Sequence, residues 1–430
     1  MSKIIEHNLL PNQKSRKNKQ NVKVELYDLS AELYDEFFAL GIIKRLKDIP
    51  QLGVIKVSKK LEKSRFDYTV LQLYFHQLVR KKLQSQLELT YNNSVKAKEF
   101  RDDLSYPSSK NNPTVADLLQ ILAIAYNIGH FFNTFTASRS VIMLAENNSI
   151  FRNKFIKSSN NERFHKAAEI VLKKQNYQRL HILNSLLVLE RCNQEKQSVF
   201  FAQELLYAYL NEDSLDKNSK LHFIFNIFRS IRNVSYISYD LQIAKMPFII
   251  DLYEEDAVLL LFRELLSIYN NQLPANDLIK SIGKMLDDTV YNENSNAICY
   301  YQISRKIVRH LVKNSNFNSQ DYYSDLWLSP QSFFNRKYGQ SRDYAPDSIL
   351  KLTFSAGEKH FSNQLLKELE RINYLRAGYY DRHSGEQTIL ISIKKKCPQK
   401  TKVAFRVLKT TIKCLRKIPL NRNEDKRYLL

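Results

Sequence analysis

Tyr68 stands in Arg65-Phe66-Asp67-Tyr68-Thr69-Val70, Tyr126 and Asn127 open Tyr126-Asn127-Ile128-Gly129-His130, and Arg232 precedes Tyr236 by four residues and Asp240 by eight. These side chains suit an anion better than a cation. A phenol has a pKa of about 10 and stays neutral unless something drives its proton off. The asparagine amide offers a carbonyl oxygen without charge. A guanidinium stays protonated and cannot coordinate a metal ion, whereas its planar fork matches phosphate oxygens.

The segments around these residues resemble those of the HD-domain dNTP triphosphohydrolases, the dGTPase-like phosphohydrolases. There they run roughly R-F-E-H-S-L-G-V, then H-D-I-G-H, then D-R-x-x-Y-x-x-x-D. Upstream, Lys44-Arg45-Leu46-Lys47-Asp48-Ile49-Pro50-Gln51-Leu52-Gly53 is similar to the family's Q-R-L-R-x-I-x-Q-L-G and ends 12 residues ahead of Arg65. The likeness spans residues 36 to 270. It implies that Tyr68, Tyr126, Asn127 and Arg232 occupy the positions of the family's metal ligands. It also implies that Gln51, Arg65, His130, Tyr236 and Asp240 fall where the family surrounds the nucleotide. Arg263 and Tyr269 match a later phosphate-facing Arg and Tyr more loosely. Neither a bound metal nor another cofactor is expected, because an arginine at a ligand position repels a divalent ion.

Each of these residues has a structural alternative. Arg65 and Asp240 can pair across a helix interface, and His130 can be a core histidine. Tyr68 and Tyr126 can fill a vacated metal cavity with aromatic bulk. A one-residue slip would put Asn233 at the Arg232 position. Elsewhere the chemistry is thin. His165 and Glu169 share a helix face without a third ligand. Glu254-Glu255-Asp256 reads as the acidic start of a helix, and Asp287-Asp288 has no spaced metal partners. No Walker loop, G-x-S-x-G or H-E-x-x-H occurs. The basic run from Lys394-Lys395-Lys396 to Lys417 reads as a solvated face or a nucleic-acid contact.

Long helices are needed to bring these segments together, and the composition favours them. The chain has 430 residues, 43% of them hydrophobic, with only 8 Gly and 10 Pro, which argues against a turn-rich β protein. The net charge of +22 raises the local concentration of anions, from nucleotides to nucleic acid. Cys192, Cys299, Cys397 and Cys414 are far apart and show no C-x-x-C spacing, which argues against a zinc site or a disulfide framework and fits a reducing compartment. No apolar run reaches about 18 residues and the start has no signal-peptide core, so a cytoplasmic protein without a membrane partner is expected.

Residues 1–24 carry Lys14, Arg16, Lys17, Lys19 and Lys23 and read as a disordered basic arm. Apolar periodicity predicts a helix from Val24 to Gly41, another over 63–83, and a buried one over 115–126 with Thr114 as N-cap and Asp117 as its partner. Further helices are expected over 163–174, 178–191, 197–209, 221–244, 257–270, 276–286, 296–313 and 357–373. Residues 314–350 look irregular, Thr388–Ile393 reads as a strand, and 403–416 as strand then helix.

The expected fold class is mainly α, an HD-like helical domain over 25–315 followed by a smaller α+β C-terminal region over 316–430. The expected function is that of a pseudoenzyme, a catalytically inactive dNTP-triphosphohydrolase-like protein. It would bind a nucleotide or other phosphate-bearing anion, or regulate a partner. The resemblance implies a homo-oligomer or a complex with another protein. Two alternatives stand beside this. One is an active HD-type phosphohydrolase that gathers metal through other residues or uses His130 as acid or base. The other is an RNA- or DNA-binding protein that keeps the HD fold as scaffold.

Overall fold

Capping side chains start the helices that matter most. In the computed structural model, the Thr114 hydroxyl accepts from the Asp117 amide and the Asp117 carboxylate accepts from Thr114 in return, the reciprocal box its sequence predicts. Ser64 and Asp67 make the same exchange, with bonds of 2.7 and 3.1 Å, ahead of the helix beginning at Arg65. The structure describes residues 3–8, 22–53, 62–83, 91–100, 112–132, 134–173, 176–243, 255–270, 277–286, 290, 349–354, 375–381 and 387–393.

The chain forms two units, whose described residues are 3–290 and 349–393. The first is mainly helical. It contains α1 (Asp28–Ala39), α2 (Ile42–Asp48), α3 (Arg65–Leu83), α4 (Val115–Asn127), α5 (Thr134–Asn147), α6 (Ser149–Ile156), α7 (Glu162–Lys173), α8 (Leu180–Leu189), α9 (Gln197–Leu210), α10 (Lys220–Ile243), α11 (Glu255–Tyr269) and α12 (Asp277–Leu286). Every residue of α4 except Asp117 is buried, because it is packed by α1, α3, α8, α9 and α10. An apolar helix covered on all sides is a central helix. No helix among the described residues is long and apolar enough to cross a membrane.

Helix periodicity located α3, α4 and α7 to α12 within a few residues. Three helices it did not locate are α2, α5 and α6. Gly41 separates α1 from α2 at φ +74°, a left-handed conformation that glycine adopts without a Cβ penalty. Glu255 and Asp256 fall in the first turn of α11, the placement expected of an acidic helix start.

The N-terminal arm departs from expectation. Strand β1 (Lys3–His7) pairs antiparallel with β2 (Val22–Leu26), with Ile5 opposite Val24. Val24 and Leu26 are therefore strand residues, and helix begins only at Asp28. The physical reason is a buried alternation: Ile5, Val24 and Leu26 point inward while Lys23 pairs with Glu6 at 2.8 Å outside. Gln77 and Gln120 bond the backbone of β2 and so tie it to α3 and α4.

In the second unit β5 (Gln387–Ile393) lies between β3 (Ile349–Phe354) and β4 (Leu375–Asp381), antiparallel to both. The apolar run at Thr388–Ile393 thus becomes a central strand, the position where continuous apolar sequence is favoured. The helices expected over 296–313 and 357–373, the strand and helix over 403–416, the acidic pair at 287–288, and the boundary at 315 lie outside the described residues.

Candidate functional site

Helix packing gathers the singled-out residues of three separate segments at one place. Arg65 and Tyr68 come from the first turn of α3, Tyr126 and Asn127 from the last turn of α4, and Arg232 from the middle of α10. Arg232 Nη1 donates to the Tyr126 hydroxyl at 2.5 Å, and its guanidinium lies 5.4 Å from the centre of that ring. Tyr68 donates to the Arg232 backbone carbonyl at 3.0 Å. Asn127 is fully buried and bonds back to the Ala123 carbonyl at 2.9 Å, with Gln72 Oε1 at 3.5 Å.

Arg232 is a cation without a counter-ion. Among the described residues no carboxylate lies within ion-pair distance of it, and its buried Nε has no hydrogen-bond partner. Burial opposes its charge, but Tyr126, Tyr209, Tyr68 and Tyr269 outweigh that and raise its pKa well above the ordinary value. It is charged at every accessible pH. Burial also pushes the Tyr68 phenol up, so this hydroxyl keeps the proton it donates.

His130 follows the α4 terminus and is buried, its ring stacked on that of His181 from α8 at 4.0 Å and 9°. Tyr126 meets the His181 ring edge-on at 4.6 Å. Burial, then Arg65, His181, Arg45 and Arg232, hold His130 well below the usual imidazole range. Burial, then Arg65 and Arg232, do the same to His181. Both imidazoles are neutral near pH 7, and the charges acting on them most strongly are cationic.

The α4–α8 junction sets this geometry. Gly129 donates to Ser185 Oγ at 2.9 Å and its carbonyl accepts from Asn184 at 3.1 Å. A Cβ at Gly129 would stand 1.8 Å from the His181 carbonyl and 2.4 Å from the Ser185 nitrogen. Arg45, whose guanidinium burial pulls down to about 9, closes the other side by donating to the carbonyls of Ile128 and His130.

The remaining singled-out residues are placed as follows. Gln51 is buried in the turn after α2, where its carbonyl accepts from Arg65 Nη2 at 3.0 Å. Tyr236 is half-buried one turn beyond Arg232, and Asp240 is buried a turn further on. Arg263 is exposed on α11. Tyr269 is the α11 residue that reaches the cluster, through a bond from Asn233. His165 bonds the Ser159 carbonyl at 2.7 Å, a local link away from the cluster.

His181, Tyr209 and Arg45 join the singled-out residues here. His181, Asn184 and Ser185 interrupt an otherwise apolar helix at i, i+3 and i+4, a signal that they share one buried face.

The donor set does not suit a divalent metal. The four segment positions supply two phenols, an amide that bonds its own helix and a guanidinium. Among the described residues no group of three His, Cys, Asp or Glu side chains could hold an ion. What the arrangement can do is stabilise negative charge beside Arg232 and Arg65. No family model, no curated protein and no solved structure matches the chain.

Proposed function

We propose that this protein is a degenerate relative of the HD-domain dNTP triphosphohydrolases that binds a nucleotide or another phosphate-bearing anion at Arg232 without cleaving it. The observation that carries this reading is the Arg232 guanidinium, held by a phenol and, among the described residues, left without a carboxylate. A charge partly shielded from water is costly unless paired, and a phosphate is the partner its fork fits. Arg65 and Arg45 add positive potential nearby. Two features oppose cleavage. Among the described residues the site offers no ligand set to activate water through a metal, and burial, with the cations around His130, depresses the basicity a general base requires. The four resembling segments supply the choice of nucleotide as ligand, and the Arg232 geometry independently supports an anion.

The test is a thermal-shift series with dNTPs, NTPs and inorganic tripolyphosphate. At about 100 times Kd, a ligand that binds only the folded state adds about 2.7 kcal/mol of stability. Arg232→Glu should abolish the shift. A shift that survives this substitution would move the ligand elsewhere. Turnover that a chelator stops would make the protein an enzyme.

A further inference from the structure

The β1–β2 sheet has two edges, and the fold treats them differently. Along β2 the outward backbone groups meet two glutamine carboxamides. Gln77 on α3 accepts from the Glu25 amide at 3.0 Å and donates to the Lys23 carbonyl at 3.1 Å. Gln120 on α4 accepts from the Tyr27 amide at 3.0 Å and donates to the Glu25 carbonyl at 2.8 Å. Each side chain offers one donor and one acceptor, as a peptide group of a neighbouring strand would. This edge is closed.

The register determines what β1 presents on its own outer side. Glu25 lies opposite Ile4, and Lys23 opposite Glu6. The Glu25 and Lys23 groups point away from β1, so these are the non-hydrogen-bonded pairs of the ladder. The backbone of Ile4 and Glu6 therefore points away from β2. Both N–H and both C=O groups face outward, and among the described residues none of them has a hydrogen-bond partner. Ile4 is also 61% exposed, a large apolar side chain on an open edge. We propose that the outer edge of β1 docks a second copy of this chain, strand to strand and antiparallel, about a two-fold axis at Ile5. The proposal does not rest on the anion site.

The edge fits itself. An axis at Ile5 sets Ile4 against Glu6 of the partner subunit, and Glu6 against Ile4 of the partner subunit, so all the outward groups are bonded at once. The charges permit the approach. Two chains of net charge +22 repel each other, but each basic side chain of these strands has a carboxylate partner in its own copy: Lys3 has Asp35, Lys23 has Glu6, and His7 has Asp67. Glu25, exposed on the outer face, adds a negative charge. The assembly also closes. In the order β2–β1–β1–β2 both outer edges are those covered by Gln77 and Gln120, so pairing stops at two copies and does not run on into a fibre.

The experiment is sedimentation equilibrium of the full chain from about 1 to 500 µM, with hydrogen–deuterium exchange over residues 3–7 at both ends of that range. A monomer–dimer equilibrium is expected, and the Ile4 and Glu6 amides should exchange more slowly as the dimer fills. Ile4→Pro removes an outward N–H to which the β1–β2 ladder owes nothing. In a symmetric pair it deletes one bond from each copy and should weaken dimerisation about tenfold or more. The exchange pattern of the parent chain decides the question even if this variant does not fold. A chain that is monomeric at about 500 µM overturns the proposal, as does a dimer that the folded variant forms equally well. Protection of both amides that does not change with concentration would give the edge to another segment of the same chain, and overturns it too.

Discussion

Arg229 and Arg232 stand three residues apart on α10, and both lie against aromatic rings. The Arg229 guanidinium is 5.9 Å from the Tyr209 centroid and 5.5 Å from that of Tyr269, while Arg232 is 5.4 Å from that of Tyr126. The Nε of each is buried without a partner. They differ in what answers the charge. Arg229 meets Glu212 at 2.5 Å, and Arg179 shares the same carboxylate. Arg232 meets a neutral phenol. Among the described residues Arg232, unlike Arg229, has no carboxylate partner. An anion bound at Arg232, as proposed above, would take the part that Glu212 plays for Arg229.

The largest expected effect comes from disturbing the wall opposite Arg232. Gly129→Ala drives a methyl group into the His181 carbonyl and the Ser185 amide, both backbone atoms that cannot rotate away. A loss of about 4 kcal/mol or more, or failure to fold, is expected in urea unfolding. A variant as stable as the parent would mean that α4 and α8 are not so closely apposed. The arginine pair should then separate by sign. Arg229→Met should cost roughly 2 kcal/mol, less than for an isolated buried pair because Arg179 keeps its hold on Glu212. Arg232→Met removes a charge with no counter-ion and should leave stability within about 0.5 kcal/mol or raise it. Equal losses in the two variants would remove the distinction between them.

Much of the helical frame is legible in the sequence, because α3, α4 and α10 combine apolar periodicity with recognisable ends. The Thr114–Asp117 cap is visible in four residues. Other elements are hidden for physical reasons. Helix α5 begins Thr-Phe-Thr-Ala-Ser-Arg-Ser, a run whose β-branched and hydroxyl side chains favour helix weakly, and burial of Ala137, Val141 and Leu144 compensates. Strand β1 sits in a basic arm and pairs with β2 across a gap that no local pattern marks. At the site, Tyr68, Tyr126, Asn127 and Arg232 could be singled out by their place in the four segments. His181 could not, since it lies 51 residues from His130 in an apolar helix. Only packing makes the two rings neighbours.

The smallest expected effect sharpens the contrast most. Tyr126→Phe keeps the ring that meets His181, Tyr209 and Phe228 edge-on and removes only the hydroxyl that accepts from Arg232. The ligand-free protein should lose about 1 kcal/mol, at the low end for a bond to a charged group because Arg232 is partly open to water. The freed guanidinium then has one more N–H to give to phosphate. The tripolyphosphate-induced shift should therefore persist or grow, measured against the parent at equal ligand concentration. If the hydroxyl is instead a ligand contact, the shift falls with Arg232 still in place. The anion would then be held by the Tyr126 phenol of α4 as well as by the Arg232 guanidinium of α10.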